Sequence, residues 1–254
     1  MLLTREGGMA TLTFNRASAM NALDVPTAGA FLAACRSLAG DPQLRVVVIR
    51  GEGRAFGVGG DLSALQHNSA VTAHELIGCL HEGVMLLAGL NAPVIASLHG
   101  VVAGGSLSLS MACDLAIAAD NTRFNLAYAN VAASCDVSGS WSLPRLVGLR
   151  NAMQIALLSE TFDAAEALRL GLVNRVVPAD QLQEETVALA RRLAAGPTLA
   201  YGRMKRLMRQ SFETDLPTQL DAEREDFKAS TQTDDFKEAV SAFFAKRPAV
   251  FKGC

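Results

Sequence analysis

The stretch Met9-Ala10-Thr11-Leu12-Thr13-Phe14 alternates apolar and polar side chains, the period of a strand with one buried face. A helix is predicted next. Asp24 can cap it and Pro26 suits its first turn; Phe31, Leu32, Cys35 and Leu38 recur at helical spacing until Gly40-Asp41-Pro42 stops it. Arg45-Val46-Val47-Val48-Ile49-Arg50 then carries an unbroken β-branched run, as in a strand covered on both faces. Strand, helix, strand is the opening of a parallel sheet, so the pattern predicts an α/β fold.

Further on, a helix is predicted at about 70–90, with short buried strands at Val94–Leu98 and Leu115–Ala118. Between those strands, Gly104-Gly105 opens an apolar segment, Leu107 to Ala112, long enough for a short buried helix. Asn151–Leu158 and Ala164–Leu170 read as helices, and Leu172–Val177 as the last strand, ending at Pro178. Beyond it, 180–195, 198–212, 216–230 and 233–246 are amphipathic helical patterns with no strand between them. Gly196-Pro197 is the expected hinge, separating residues 1–195 from a helical region at 196–254.

Residues 83–113 contain no Asp, Glu, Lys or Arg, which raises the question of a membrane span. Asn91-Ala92-Pro93, His99-Gly100 and Gly104-Gly105 cut the stretch into pieces of core length, so no membrane association is expected. With 23 basic against 25 acidic residues the net charge is −2, which argues against a nucleic-acid partner. The five cysteines, Cys35, Cys79, Cys113, Cys135 and Cys254, are irregularly spaced with no C-x-x-C pair. A reduced, cytoplasmic setting is expected, with no bound metal; the N-terminus lacks the basic and apolar regions of a signal peptide.

Gly51 to Gly60 holds five glycines in ten positions, yet the familiar phosphate-binding patterns fail. Gly51-Glu52-Gly53-Arg54-Ala55 is followed by Phe56 where a dinucleotide fingerprint needs glycine, and no G-K-[ST] occurs. The nucleophile elbow G-x-S-x-G is also missing, and His74-Glu75-Leu76-Ile77-Gly78 lacks a second zincin histidine. His67, His74 and His81 are spaced by seven, one helical face but too far apart to share a metal. Two glycine-bearing segments remain, Ala55 to Leu62 and His99 to Ser106. Each follows a predicted strand. Their backbone N–H groups could converge on a negative oxygen, or their glycines could simply make turns and close packing.

Asn15-Arg16 with Asn21-Ala22-Leu23, Ala55-Phe56-x-x-Gly59-x-Asp61-Leu62, Pro93-Val94-Ile95-Ala96 through Gly100-x-x-x-Gly104-Gly105, Cys113-Asp114 and Arg123-Phe124 together resemble the crotonase (enoyl-CoA hydratase/isomerase) superfamily. Leu143-Pro144-Arg145-Leu146-Val147-Gly148, Ala164-x-Glu166-Ala167-x-x-x-Gly171-Leu172-Val173 and Phe243-Phe244-Ala245-Lys246-Arg247-Pro248 extend the resemblance over nearly the whole chain.

The resemblance implies a crotonase-like spiral of ββα units over 1–195, with a C-terminal helical oligomerisation region over 196–254. It implies homotrimers or dimers of trimers. The substrate would be an acyl-CoA thioester, so coenzyme A enters as part of the substrate and no permanently bound cofactor is expected. The family's oxyanion hole falls on the backbone N–H groups of Gly60 and Gly105, and its coenzyme A contacts on Ala22, Val58, Asp61 and Leu62. Ala19 and Met20 stand where dehalogenase relatives place a basic contact to the coenzyme A phosphate.

The side chains discriminate among reactions. The two glutamates of the family's hydratases correspond to Ser108 and Tyr128, and neither can act as a carboxylate base. A carboxylate does stand at Asp136, the position of the catalytic aspartate in several isomerases, including those of phenylacetyl-CoA breakdown. The C-terminal Thr218-Gln219-Leu220-Asp221-x-Glu223-Arg224 also resembles the latter. The 4-chlorobenzoyl-CoA dehalogenases place a nucleophilic aspartate at Asp136, a tryptophan at Tyr128 and a histidine base at His81.

Three readings therefore stand. In the favoured one, an isomerase moves a proton or double bond through an enolate, with Asp136 transferring the proton and Tyr128 and His81 orienting it. In the second, Asp136 is the nucleophile of a dehalogenase or thioester hydrolase, and in the third the chain binds coenzyme A without catalysis. From the residues alone, Asp136 could equally cap a helix beginning near Ser138, Tyr128 could merely pack, and His81 could be an ordinary helix histidine.

Overall fold

A computed structural model describes residues 1–66 and 69–254. Elements in chain order are β1 (Leu2–Glu6), β2 (Met9–Phe14), α1 (Val25–Ala39), β3 (Val46–Gly51), β4 (Ala55–Gly57), α2 (Ser69–Gly89), β5 (Val94–Leu98), β6 (Val101–Ala103), α3 (Gly104–Ala112), β7 (Leu115–Ala119) and β8 (Arg123–Asn125). They continue with α4 (Gly139–Val147), α5 (Leu149–Leu158), β9 (Phe162–Asp163), α6 (Ala164–Arg169), β10 (Arg175–Val177), α7 (Leu182–Ala194), α8 (Thr198–Gln210), α9 (Leu216–Thr231) and α10 (Asp234–Phe244).

The strands form two sheets, ordered β1-β2-β3-β5-β7-β10 and β4-β6-β8-β9. From β3 onward the chain repeats one operation: a strand in the larger sheet, a short strand in the smaller one, then helix. β3-β4-α2 and β5-β6-α3 are successive turns of this kind, and β7-β8 leads toward α4. Within the larger sheet β2, β3, β5, β7 and β10 pair in parallel, with β1 antiparallel at the edge. The chain is thus a ββα spiral of the α/β class.

Local chemistry explains the elements. Asp24 caps α1, its carboxylate accepting from the Thr27 N–H at 2.9 Å with Pro26 in the first turn. The Val-Val-Val-Ile run of β3 is buried on both faces, between the α1 and α2 layer on one side and α7 on the other. Phe14, Phe31 and Phe56 meet at centroid separations of 6.2 and 6.0 Å, joining α1 to both sheets. Residues 104–111 of α3 are buried throughout, so this helix is a central post that every turn of the spiral packs around.

Asp114 ties the C-terminal helices to that post. Its carboxylate accepts from the Val94 N–H (2.8 Å) and pairs with Lys205 (2.7 Å) and Arg209 (2.8 Å) of α8.

The structure differs from the sequence pattern at the last strand. Leu172 and Val173 are buried but lie outside the sheet, with Leu172 in a bend, and strand pairing begins only at Arg175, after Gly171 turns the chain at φ +79°. No described helix is long and apolar enough to cross a membrane.

Candidate active site

A cavity of about 480 Å³ opens where strands of the smaller sheet hand over to helices. Its walls include Leu23, Leu62 and Leu65, then Leu76, Ile77 and Leu80 from α2, and residues between Tyr128 and Val137 after β8, among them Asp136. The lining is apolar apart from a few groups gathered on one side. Asp136 is the one carboxyl group among the described lining residues.

Gly60 and Gly105 both line this space. Leu23 N–H donates to Gly59 O (2.8 Å) and Asp61 N–H to Leu23 O (2.9 Å), so this parallel bridge brackets Gly60. In a parallel bridge the bracketed residue's own N–H turns away from the partner strand, so the Gly60 N–H is not used by Leu23. Gly105 is the second residue of α3, within the first turn, whose N–H groups have no acceptor inside the helix. The positive end of the α3 dipole adds to the field there. Gly59 brings the two segments together: at φ +88°, a Cβ on it would lie 3.1 Å from the Gly105 nitrogen.

The polar side chains form a line. Ser108 Oγ lies 3.0 Å from the Tyr128 hydroxyl, which donates a short hydrogen bond to Asp136 Oδ1. A Cβ placed on Gly139 would fall 2.5 Å from Ser108 Oγ, so glycine there is what leaves room for this hydroxyl. A Cβ placed on Gly105 would lie 3.5 Å from Asp136 Oδ1 and 3.7 Å from the Tyr128 oxygen, so the carboxyl group and the α3 N-terminus adjoin the same space. Burial raises the Asp136 pKa above the ordinary carboxylate range, a rise the Tyr128 hydrogen bond partly offsets. Burial, reinforced by the Asp136 charge, raises the Tyr128 phenol, which therefore stays a donor.

Asp136 does not cap α4. The N-cap residue is Ser138 and receives no side-chain capping bond, while the Asp136 carboxyl engages Tyr128. His81 stands on α2 outside the cavity lining, and its Nε2 accepts from the Val137 N–H at 3.1 Å. His67 lies outside the described residues, so the seven-residue histidine row is traced only from His74 to His81.

Of the expected coenzyme A contacts, Val58 and Leu62 line the cavity, and Leu62 is exposed at its edge. Ala22 is buried and its carbonyl accepts from Arg16 (3.2 Å). Asp61 is engaged internally, by Ser63 N–H (3.0 Å), Ser63 Oγ (2.6 Å) and Arg16 (2.6 Å). The Ser63 and Arg16 hydrogen bonds hold its carboxyl down at about 2. Arg16 reaches Asp24 as well (3.5 Å), so this cluster fastens the Asn15–Asp24 loop to the one after β4. The sequence pattern gives no sign of that role for Arg16, since nothing in the spacing foretells a partner 45 residues away. Nor does it mark Val137, whose apolar side chain carries no chemical signal.

Residues 4–254 match the sequence profile of the enoyl-CoA hydratase/isomerase family. The chain is 34% identical to a crotonyl-CoA hydratase of Syntrophomonas wolfei, covering 99% of this chain and 97% of that protein. It is 32% identical to a 1,2-epoxyphenylacetyl-CoA isomerase of Escherichia coli, covering 98% and 96%. The crystal structure of an enoyl-CoA hydratase from Polaromonas superposes with a TM-score of 0.92 at 33% identity over 98% of both chains. The chain belongs to the enoyl-CoA hydratase/isomerase family and has the crotonase fold. Its similarity to hydratases and to isomerases is of one order, so the site chemistry has to separate them.

Proposed function

We propose that this protein is an acyl-CoA isomerase, moving a proton or double bond through a thioester enolate. The observation that carries the reading is the identity of the polar side chains at the cavity: Asp136 is its one carboxyl group among the described lining residues, Tyr128 beside it is a phenol, and Ser108, buried behind Tyr128, is a hydroxyl bonded to it. A hydroxyl pair of this kind cannot take up a proton from water as a carboxylate does at neutral pH. Asp136, with its raised pKa, is suited to take a proton from carbon and return it.

The Gly60 and Gly105 N–H groups hold the thioester oxygen as its charge grows, each donor typically contributing about 2.7–4 kcal/mol in the transition state. Tyr128 fixes the Asp136 carboxyl by its hydrogen bond. The apolar wall of α2 takes the acyl group, with coenzyme A leaving past Val58 and Leu62. The exposed apolar faces of the C-terminal helices suit self-association as a trimer or dimer of trimers.

The test is mass spectrometry of enoyl-, phenylacetyl-derived and halobenzoyl-CoA thioesters incubated with the protein in D2O. Deuterium uptake into an unchanged skeleton, lost by at least a hundredfold in Asp136→Asn, is the expected result. An Asp136→Asn protein with full turnover would overturn the reading. Loss of halogen or of coenzyme A would mark Asp136 as a nucleophile instead, and binding without turnover would mark a non-catalytic role.

A further inference from the structure

The chain directly after Asp136 is strained. Val137 has φ +46° and Ser138 φ +70°, two consecutive non-glycine residues in the left-handed region, the first β-branched and fully buried. Such a conformation costs on the order of a kilocalorie or more per residue and persists only where the surroundings over-determine it. Three sets of contacts do so here. Asp136 O accepts from Gly139 N–H (2.8 Å), Ser138 O accepts from Trp141 (2.9 Å) and Ser142 (2.8 Å) N–H groups, and His81 Nε2 accepts from Val137 N–H (3.1 Å). The first two belong to the entry of α4. The third reaches across to α2, the helix whose Leu76, Ile77 and Leu80 wall the cavity.

The geometry points to His81 as a positioning residue, acting through the Val137 N–H to hold the strained turn that aims the Asp136 carboxyl at the cavity. This inference rests on the proposed role of Asp136. A backbone N–H can only donate, so the Nε2 facing it carries a lone pair and the ring proton sits on Nδ1. That nitrogen is therefore occupied, and His81 serves as an acceptor in place of the proton-transfer role its position in the dehalogenases implies. The same bond couples the acyl-binding wall to the carboxyl group, so a shift of α2 would be felt at Asp136.

The first measurement needs no substitution. Histidine-specific 15N labelling of the intact protein should show His81 Nε2 without a proton and Nδ1 carrying one; a proton on Nε2 would overturn the inference. The second compares His81→Gln with His81→Met, checking by circular dichroism that each folds. Glutamine offers an amide oxygen at the ε position; methionine offers only a weak thioether acceptor. In the isomerisation assay His81→Met should lower kcat ten- to a hundredfold with KM changed less than threefold, and His81→Gln should recover kcat to within about fivefold. Wild-type kcat in His81→Met, or equal loss of kcat in both variants, would overturn the inference. Asp136→Asn is assayed in parallel: its retention of turnover would fail the isomerase reading itself, whatever His81 does.

Discussion

At the scale of single residues, the Tyr128 hydroxyl controls how basic Asp136 is. Burial raises the Asp136 pKa and the hydrogen bond from Tyr128 opposes that rise, so removing the hydroxyl must raise it further. Since the proton-accepting form is the ionised one, activity falls as pH drops through this pKa. Tyr128→Phe should therefore move the acid limb of the kcat profile to higher pH, and lower the rate at neutral pH. A limb that stayed in place would show that the phenol does not bond the carboxyl during turnover.

At the scale of elements, Asp114 is where the C-terminal helices depend on the core. Lys205 is almost fully enclosed, and burial lowers its pKa even with Asp114 alongside. Removing the carboxylate leaves that ammonium and the Arg209 guanidinium without their partner. Asp114→Ala should cost about 3 kcal/mol in urea unfolding, well above the value of an exposed pair. A loss below 1 kcal/mol would show that water reaches the pair.

Elements also show what could be read from the chain. In the larger sheet β2 announced itself by alternation, β3 by its β-branched run and β5 and β7 by short apolar runs, and the C-terminal helices by an apolar stripe. The smaller sheet did not, because Ala55–Gly57 and Val101–Ala103 are too short for a period to register and border the glycines that resembled turns. β1 is mostly exposed on both faces, so it carries no buried stripe. At the site, the two glycine-bearing segments stood out from the residues, but the choice of Gly60, Gly105 and Asp136 within the chain came through family resemblance. The Tyr128–Ser108 pairing depends on Gly139 leaving space, a relation between positions 31 residues apart that no local pattern encodes.

At the scale of the whole molecule, the surface is unusual for a chain acting alone. Phe243 and Phe244 are 77% and 79% exposed, Phe227, Met208, Leu157 and Leu149 lie open on other helices, and Phe212 lies open in the turn after α8. Light scattering should give a mass several times the 26.8 kDa chain at micromolar concentration. The double substitution Phe243→Ser, Phe244→Ser should lower that mass. A monomer in the unaltered protein would refute self-association.

The spiral divides the site in a way that bears on how its chemistry could diverge. On the proposed reading Gly60 and Gly105 contribute main-chain groups, whereas Ser108, Tyr128 and Asp136 contribute side chains from α3 and the segment after β8. Substitution rewrites side chains but leaves an amide in place. On the proposed reading, inheritance can therefore preserve the grip on a thioester while Tyr128 through Gly139 drifts. New reactions would arise by exchanging a dozen residues rather than by rebuilding a protein.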